Sequence, residues 1–147
     1  MSSYEVKLFR HTDVEYAQAL LLRNEVLRIP LGLKYSRQDL ENDRNDQHLG
    51  VFRQNEIVGC LILTQTDATT FKMRQVAVST NFQRNGIGRL MINAAHQLAR
   101  TRQITRIFCH AREEAVPFYQ SMQYRMAGEK FFEIGIPHYH MEWCSEV

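Results

Sequence analysis

The chain has 147 residues, 44% hydrophobic and 23% charged, the make-up of an ordinary soluble globular protein and most simply of one domain, residues 1–147. A net charge of only +2, with the basic residues dispersed, excludes a nucleic-acid-binding protein. No apolar run approaches about 18 residues, and the first 25 residues carry Glu5, Asp13 and Glu15, so neither a membrane span nor a signal peptide is expected.

Tyr4 to Phe9 alternates through Tyr4, Val6 and Leu8 and predicts a first strand. Thr12 and Asp13 are placed to cap a helix whose apolar positions include Tyr16, Ala19, Leu20, Leu22 and Val26. Ile29-Pro30-Leu31-Gly32 ends it. Ser36 to Asn45 is polar, and Ser36-x-x-Asp39 has the form of a capping box, so a short helix is expected there. Its acidic cluster, Asp39, Glu41, Asp43 and Asp46, reads as a solvated face, the alternative being a surface for a cationic substrate.

Leu49–Arg53, Gln54-Asn55-Glu56 and Ile57–Thr64 predict a β-hairpin, with the continuously apolar Val58–Leu63 buried on both faces. Phe71–Val78 follows as the third strand of a meander. Ile87, Leu90, Met91, Ala94, Ala95 and Leu98 then form one apolar stripe of a helix from Gly86 to about Arg100. Ile104–Cys109 reads as a strand parallel to Phe71–Val78, completing a βαβ unit. Glu113–Met122 predicts a short helix with Pro117 in its tolerant first turn, and Tyr124–Phe132 and His138–Cys144 predict two final strands. The order is mixed α+β: about seven strands in one central sheet, flanked by about four helices.

The chemistry lies in Gln83-Arg84-Asn85-Gly86-Ile87-Gly88-Arg89-Leu90, between a Val-Ala-Val strand end and a helix start. The first-turn amides of a helix have no intrahelical acceptors and carry the positive end of its dipole, which suits an anion. Gly86 and Gly88 let a diphosphate approach the backbone, and Arg84 and Arg89 add charge. Two glycines also suit a plain tight turn. A Walker A loop is absent, and Met91 stands where a dinucleotide fingerprint needs its third glycine.

What remains, Gln-x-x-Gly-x-Gly after Val76-Ala77-Val78, resembles the acetyl-CoA signature of the GNAT superfamily of N-acetyltransferases. Downstream, Ala115, Phe118, Tyr119 and Tyr124 match a second motif of that family, whereas Arg112 and Gln123 replace its usual asparagine and glycine. Ala111-Arg112-x-x-Ala115 with Gly135-Ile136-Pro137-His138 is similar to the small bacterial ElaA-like branch. The resemblance implies a single-domain GNAT fold, its mostly antiparallel sheet splayed between the fourth and fifth strands. It implies an acetyl-CoA-dependent transfer to a primary amine within a ternary complex. The backbone of Val76, Ala77 and Val78 would pair with the pantetheine arm. Gln83, Arg84, Asn85, Gly86, Ile87, Gly88 and Arg89 would cradle the pyrophosphate, Arg112 would also serve the cofactor, and Tyr119 would protonate the departing thiolate.

Other residues offer less. Cys60, Cys109 and Cys144 form no Cys-x-x-Cys pair, which predicts reduced thiols and a cytoplasmic setting. Cys109 as a nucleophile weighs less than Cys109 as a buried strand residue. His110, His138 and His140 have no metal-ligand spacing, so no metal is expected. His110, His138, Glu25 and Glu114 are the candidate bases for the incoming amine. The competing function is a non-catalytic acyl-CoA-binding sensor or scaffold of the same fold. Acceptor identity is not readable, and a homodimer is compatible with the sequence.

Overall fold

A computed structural model describes residues 3–145. The elements run β1 (Glu5–Phe9), α1 (Val14–Arg23), α2 (Arg37–Glu41), β2 (Gln47–Arg53), β3 (Glu56–Asp67), β4 (Thr70–Val78), α3 (Ile87–Thr101), β5 (Arg106–Arg112), α4 (Val116–Ser121), β6 (Arg125–Met126), β7 (Phe131–Glu133) and β8 (Ile136–Cys144). The strands make one sheet in the order β1-β2-β3-β4-β5-β8-β6, with β7 also on β8. Among the described residues only β4 and β5 are parallel neighbours, joined by the α3 crossover. Among the described residues no helix is long and apolar enough to cross a membrane.

Two apolar layers sandwich the sheet. Ile87, Met91, Ile92, Ala95 and Ala99 of α3 pack with Val58, Leu61, Leu63, Phe71, Met73, Ile107 and Cys109. On the other face Tyr16, Ala19 and Leu22 of α1 cover Cys60 and Ala77. The buried stripe of α3 is rotated from the expected one, since Leu90, Ala94 and Leu98 are only partly buried while Ile92, His96 and Ala99 lie inside. His96 stacks on Trp143 with ring centroids 4.0 Å apart, and its Nε2 lies 3.0 Å from the Tyr124 hydroxyl.

Three expectations change. The strand foreseen over Tyr124–Phe132 is two short strands, β6 and β7, because Gly128 at φ 96° turns the chain between them. Asp13 does not cap α1 through its side chain; its carboxylate instead accepts from the Arg10 amide at 2.8 Å. The acidic cluster is a solvated face only along α2, which buries no residue. Asp39 completes the capping box with Ser36, and Glu41 pairs with Arg44. Asp43, however, is fully buried.

Asp43 is the centre of an ionic cluster. Its Oδ2 accepts from Arg23 Nη1 and from the Tyr16 hydroxyl, each at 2.8 Å, and its Oδ1 from Arg74 Nη2 at 2.9 Å. Arg74 also reaches Asp46 at 2.6 Å, and His48 Nε2 lies 2.9 Å from the Asp43 carbonyl. Burial alone would raise the Asp43 pKa, but hydrogen bonds and charge from Arg23 hold it below the ordinary carboxylate value. Burial, with Asp43 accepting its proton, pushes Tyr16 up to about 12. The cluster ties α1 and the segment after α2 to β4.

Candidate active site

The site begins as a defect in β4. Cys60 of β3 faces Ala77 and Ile62 faces Arg74, so Gln75 and Val76 together oppose Leu61. That is a β-bulge. Gln75 adopts φ 55°, a left-handed conformation that costs a non-glycine residue about 1 kcal/mol. Its Oε1 accepts a 2.6 Å hydrogen bond from the Tyr35 hydroxyl, which fixes the bulge from the α1 side. The consequence is a sheet that opens. β5 pairs with β4 from Thr70↔Arg106 to Met73↔Cys109 and no further. Beyond the bulge the facing edges of both strands lack ladder partners, and a groove of about 930 Å³ lies between them.

At its upper end the groove meets the start of α3. Arg84 at φ 72° and Gly86 at φ 82° are both left-handed, and the first helical bond runs from the Leu90 amide to the Gly86 carbonyl at 3.0 Å. The amides of Ile87, Gly88 and Arg89 therefore precede the helix's own acceptors. A Cβ built on Gly86 meets nothing within 4 Å, leaving open space above that turn. One on Gly88 would lie 3.1 Å from Phe118 Cζ, so this glycine serves the packing of α3 against α4. Arg84 and Arg89 line the groove and make no ion pair among the described residues. The donor set thus fits a diphosphate: free amides, two free guanidinium groups and room.

Most residues singled out in the sequence converge here. Val76, Ala77 and Val78 of β4, Gln83, Arg84, Gly86, Gly88 and Arg89 of the loop, and Arg112 and Tyr119 all line the groove. Gln83 donates from Nε2 to the Val78 carbonyl at 3.2 Å, so pairing at that carbonyl would replace an existing bond. Two residues stand apart. Asn85 is not in the lining, and the Ile87 side chain is 1% exposed in the core, leaving only its amide for a ligand. Glu25 and Glu114 are exposed and outside the groove.

Strand alternation sorts the remaining groups by face. Ile107, Cys109 and Ala111 of β5 belong to the core beneath α3 and α4, together with Tyr119; Phe108, His110 and Arg112 alternate to the opposite face. Tyr119 is 6% exposed, and its hydroxyl has no hydrogen-bond partner among the described residues. Burial, with Cys109 nearby, raises its pKa above the ordinary phenol value. Burial also pushes the Cys109 thiol up to about 12, so it stays protonated at neutral pH. Across the groove His110 Nδ1 lies 3.0 Å from Glu133 Oε1, and His138 Nε2 lies 3.7 Å from Glu133 Oε2. Glu133 went unnoticed in the sequence, where it is one acid in a loop-rich stretch; only the β7–β8 turn brings it to the two histidines. Among the described residues no group of His, Cys, Asp and Glu has the arrangement of a metal site.

The fold has counterparts among known proteins. Residues 31–145 match a family model described as an acetyltransferase (GNAT) domain. The uncharacterized protein YyaT of Bacillus subtilis is 25% identical over 92 residues, which is 63% of this chain and 62% of that protein. The match therefore spans less than two thirds of that relative. The crystal structure of Escherichia coli ElaA superposes with a TM-score of 0.82 at 21% identity, covering 95% of this chain and 99% of that one. A GNAT family acetyltransferase from Elizabethkingia anophelis, solved with acetyl-CoA bound, gives 0.74 at 17% identity over 97% and 98% of the two chains. At these identities the structural likeness speaks for the fold.

Proposed function

We propose, from the premise that this chain belongs to the acetyltransferase (GNAT) domain family, that it is an N-acetyltransferase moving an acetyl group from acetyl-CoA directly to a primary amine. The observation that carries this reading is the opening of β4 from β5 at the Gln75 bulge, in a groove that runs on to the free amides at the start of α3. Acetyl-CoA supplies an activated thioester and leaves as a thiol. The amides of Ile87, Gly88 and Arg89, with Arg84 and Arg89 beside them, would hold its pyrophosphate. The edge from Val76 to Val78, which has no strand partner on the β5 side, would hold the pantetheine arm by strand-like hydrogen bonds, and its amides would bind a developing oxyanion.

Two proton transfers remain. Tyr119, protonated at every physiological pH, donates to the departing sulfur. Glu133, held by His110 and His138, receives the proton of the incoming amine. Cys109 takes no part, because burial keeps it a thiol. The reduced cysteines accord with a cytoplasmic setting, and the acceptor side is left for an amine.

Initial-rate kinetics with both substrates varied test the reading. Intersecting lines are expected, since donor and acceptor occupy the groove together. Parallel lines, or acetyl-Cys109 formed from acetyl-CoA alone, would replace direct transfer with a covalent route. Acetyl-CoA binding without amine-dependent thiol release across an amine panel would leave a sensor or scaffold instead.

A further inference from the structure

The acceptor half of the groove carries more positive charge than an amine alone would call for. The π-helical turn Asn24–Arg28, which continues α1, packs against β4 and brings Arg28 into the lining. The Arg28 guanidinium carbon sits 4.5 Å from the Tyr35 ring centroid. Arg23 stacks on the same ring at 4.6 Å, and the Tyr35 hydroxyl is bonded to Gln75 in the bulge. Arg28 is thus held at the height of the bulge, where β4 and β5 part. The pyrophosphate loop lies beyond Val78, at least three residues or about 10 Å further along the strand.

Arg23 and Arg28 share that ring but not its chemistry. Arg23 is paired with Asp43; Arg28 has no carboxylate within ion-pair distance among the described residues, and only the surface carboxylate of Asp39 feels its charge. Lys72, too, has no carboxylate within ion-pair distance among the described residues; it lines the groove one alternation below Arg74 on the same face of β4. Arg74 itself is engaged by Asp43 and Asp46. Among the described residues Glu133 is the one carboxylate in the lining, and it is bonded to His110. A guanidinium stacked in place with its hydrogen-bonding edge unclaimed is a preformed anion site.

We infer that the acceptor is an amine that also carries a carboxylate on the same small skeleton, an amino acid in the broad sense, with the carboxylate on Arg28 and Lys72 and the amino group toward Glu133. The inference rests on the acetyltransferase reading above and specifies its acceptor. A purely cationic acceptor such as a polyamine would bring charge to a groove lined by unpaired cations. A zwitterion matches both ends.

Three matched series test this in acetylation assays: glycine, phenylalanine and γ-aminobutyrate, each beside its carboxamide and its decarboxylated amine. At least one amino acid should exceed both neutral-tailed counterparts in kcat/KM by about 10-fold or more. Arg28→Gln should raise the KM for that amino acid about 10- to 100-fold, leave the KM for acetyl-CoA within about twofold, and abolish the preference. The corresponding N-acetylated products, titrated calorimetrically into the CoA-loaded protein, report the same site without turnover. Carboxylate products should bind more tightly than their amides in wild type and equally weakly in Arg28→Gln. Unchanged CoA affinity of the variant shows that it is folded. Equal or better use of the decarboxylated amines or of polyamines overturns the inference. So does carboxylate binding that Arg28→Gln leaves unchanged, while turnover of simple amines would keep the transferase reading intact. Failure of CoA itself to bind would sink both.

Discussion

Tyr119 lies in packed core yet lines the groove, and its hydroxyl finds no partner among the described residues. A core tyrosine normally bonds its hydroxyl; one that does not is available to a ligand. Burial raises its pKa, which by itself would make donation to a thiolate of ordinary pKa about 8.5 uphill. The same dry surroundings raise thiols, as burial does for Cys109, so the proton affinity of the departing thiolate rises alongside that of the phenol. Tyr119→Phe keeps the ring and removes only the proton. Its kcat should fall about 10²- to 10⁴-fold, with thermal stability and CoA affinity unchanged; near-full activity, with chemistry rate-limiting, would make Tyr119 packing alone. His96 gives a residue-scale prediction about pH. Burial, with Arg100 nearby, lowers its pKa from 6.5 to about 4, so the unfolded chain binds this proton first. Stability is therefore whole above about pH 6.5 and is lost as pH falls toward 4, by an amount on the order of 3 kcal/mol. His96→Phe keeps a ring against Trp143 and cannot titrate. Denaturant unfolding at pH 7.5 and 4.5 should show a smaller loss in the variant than in wild type.

At the scale of the element, the start of α3 does two jobs with two glycines. Gly86 stands at φ 82° with open space beside it. Aspartate tolerates that conformation better than most residues, so Gly86→Asp should fold while placing a negative charge where a diphosphate would sit. CoA affinity, measured by titration calorimetry, should drop at least about 10-fold, or about 1.4 kcal/mol. Gly88 answers to α4 instead. Gly88→Ala puts a methyl against Phe118 and should cost stability by crowding, the usual price of overpacking being about 1–3 kcal/mol. Arg84→Ala and Arg89→Ala should weaken CoA less than Gly86→Asp, and their effect should shrink at high salt, because both side chains are exposed.

At the scale of the molecule, one wall of the groove leans on an ionic cluster centred on the buried Asp43. Asp43 binds Arg23 of α1 and Arg74 of β4, one residue before the bulge. Arg23 is 2% exposed, and removing its partner would strand a buried cation. Asp43→Asn should destabilise the protein by about 3–5 kcal/mol, visible in chemical denaturation. It should also raise the KM for the acceptor more than that for acetyl-CoA, because Tyr35 and the Gln75 bulge lean on the same arginine. A stable Asp43→Asn with unaltered kinetics would mean that the bulge needs no such support.

Local patterns were enough for much of this protein. The first strand within Tyr4–Phe9, the Ser36-x-x-Asp39 capping box, the polar turn at Gln54-Asn55 and the glycine loop before an apolar helix each depend on neighbours in the chain, and each stands in the structure. So does the parallel pairing of the strands around α3, since a strand–helix–strand crossover leaves few other arrangements. What tertiary structure alone decided is which polar residues leave water. Asp43 looks like its acidic neighbours in sequence, yet it is buried because Arg23 and Arg74 arrive from 20 and 31 residues away. Glu133 joins His110 and His138 only when β7 folds back on β8, and Arg28 stacks on Tyr35, which is tied to Gln75, 40 residues on. Periodicity locates an element more surely than the face it buries: Val6 and Leu8 of β1 are exposed, and the buried stripe of α3 is rotated. A charge is kept or stranded by partners far along the chain, and no local pattern carries them.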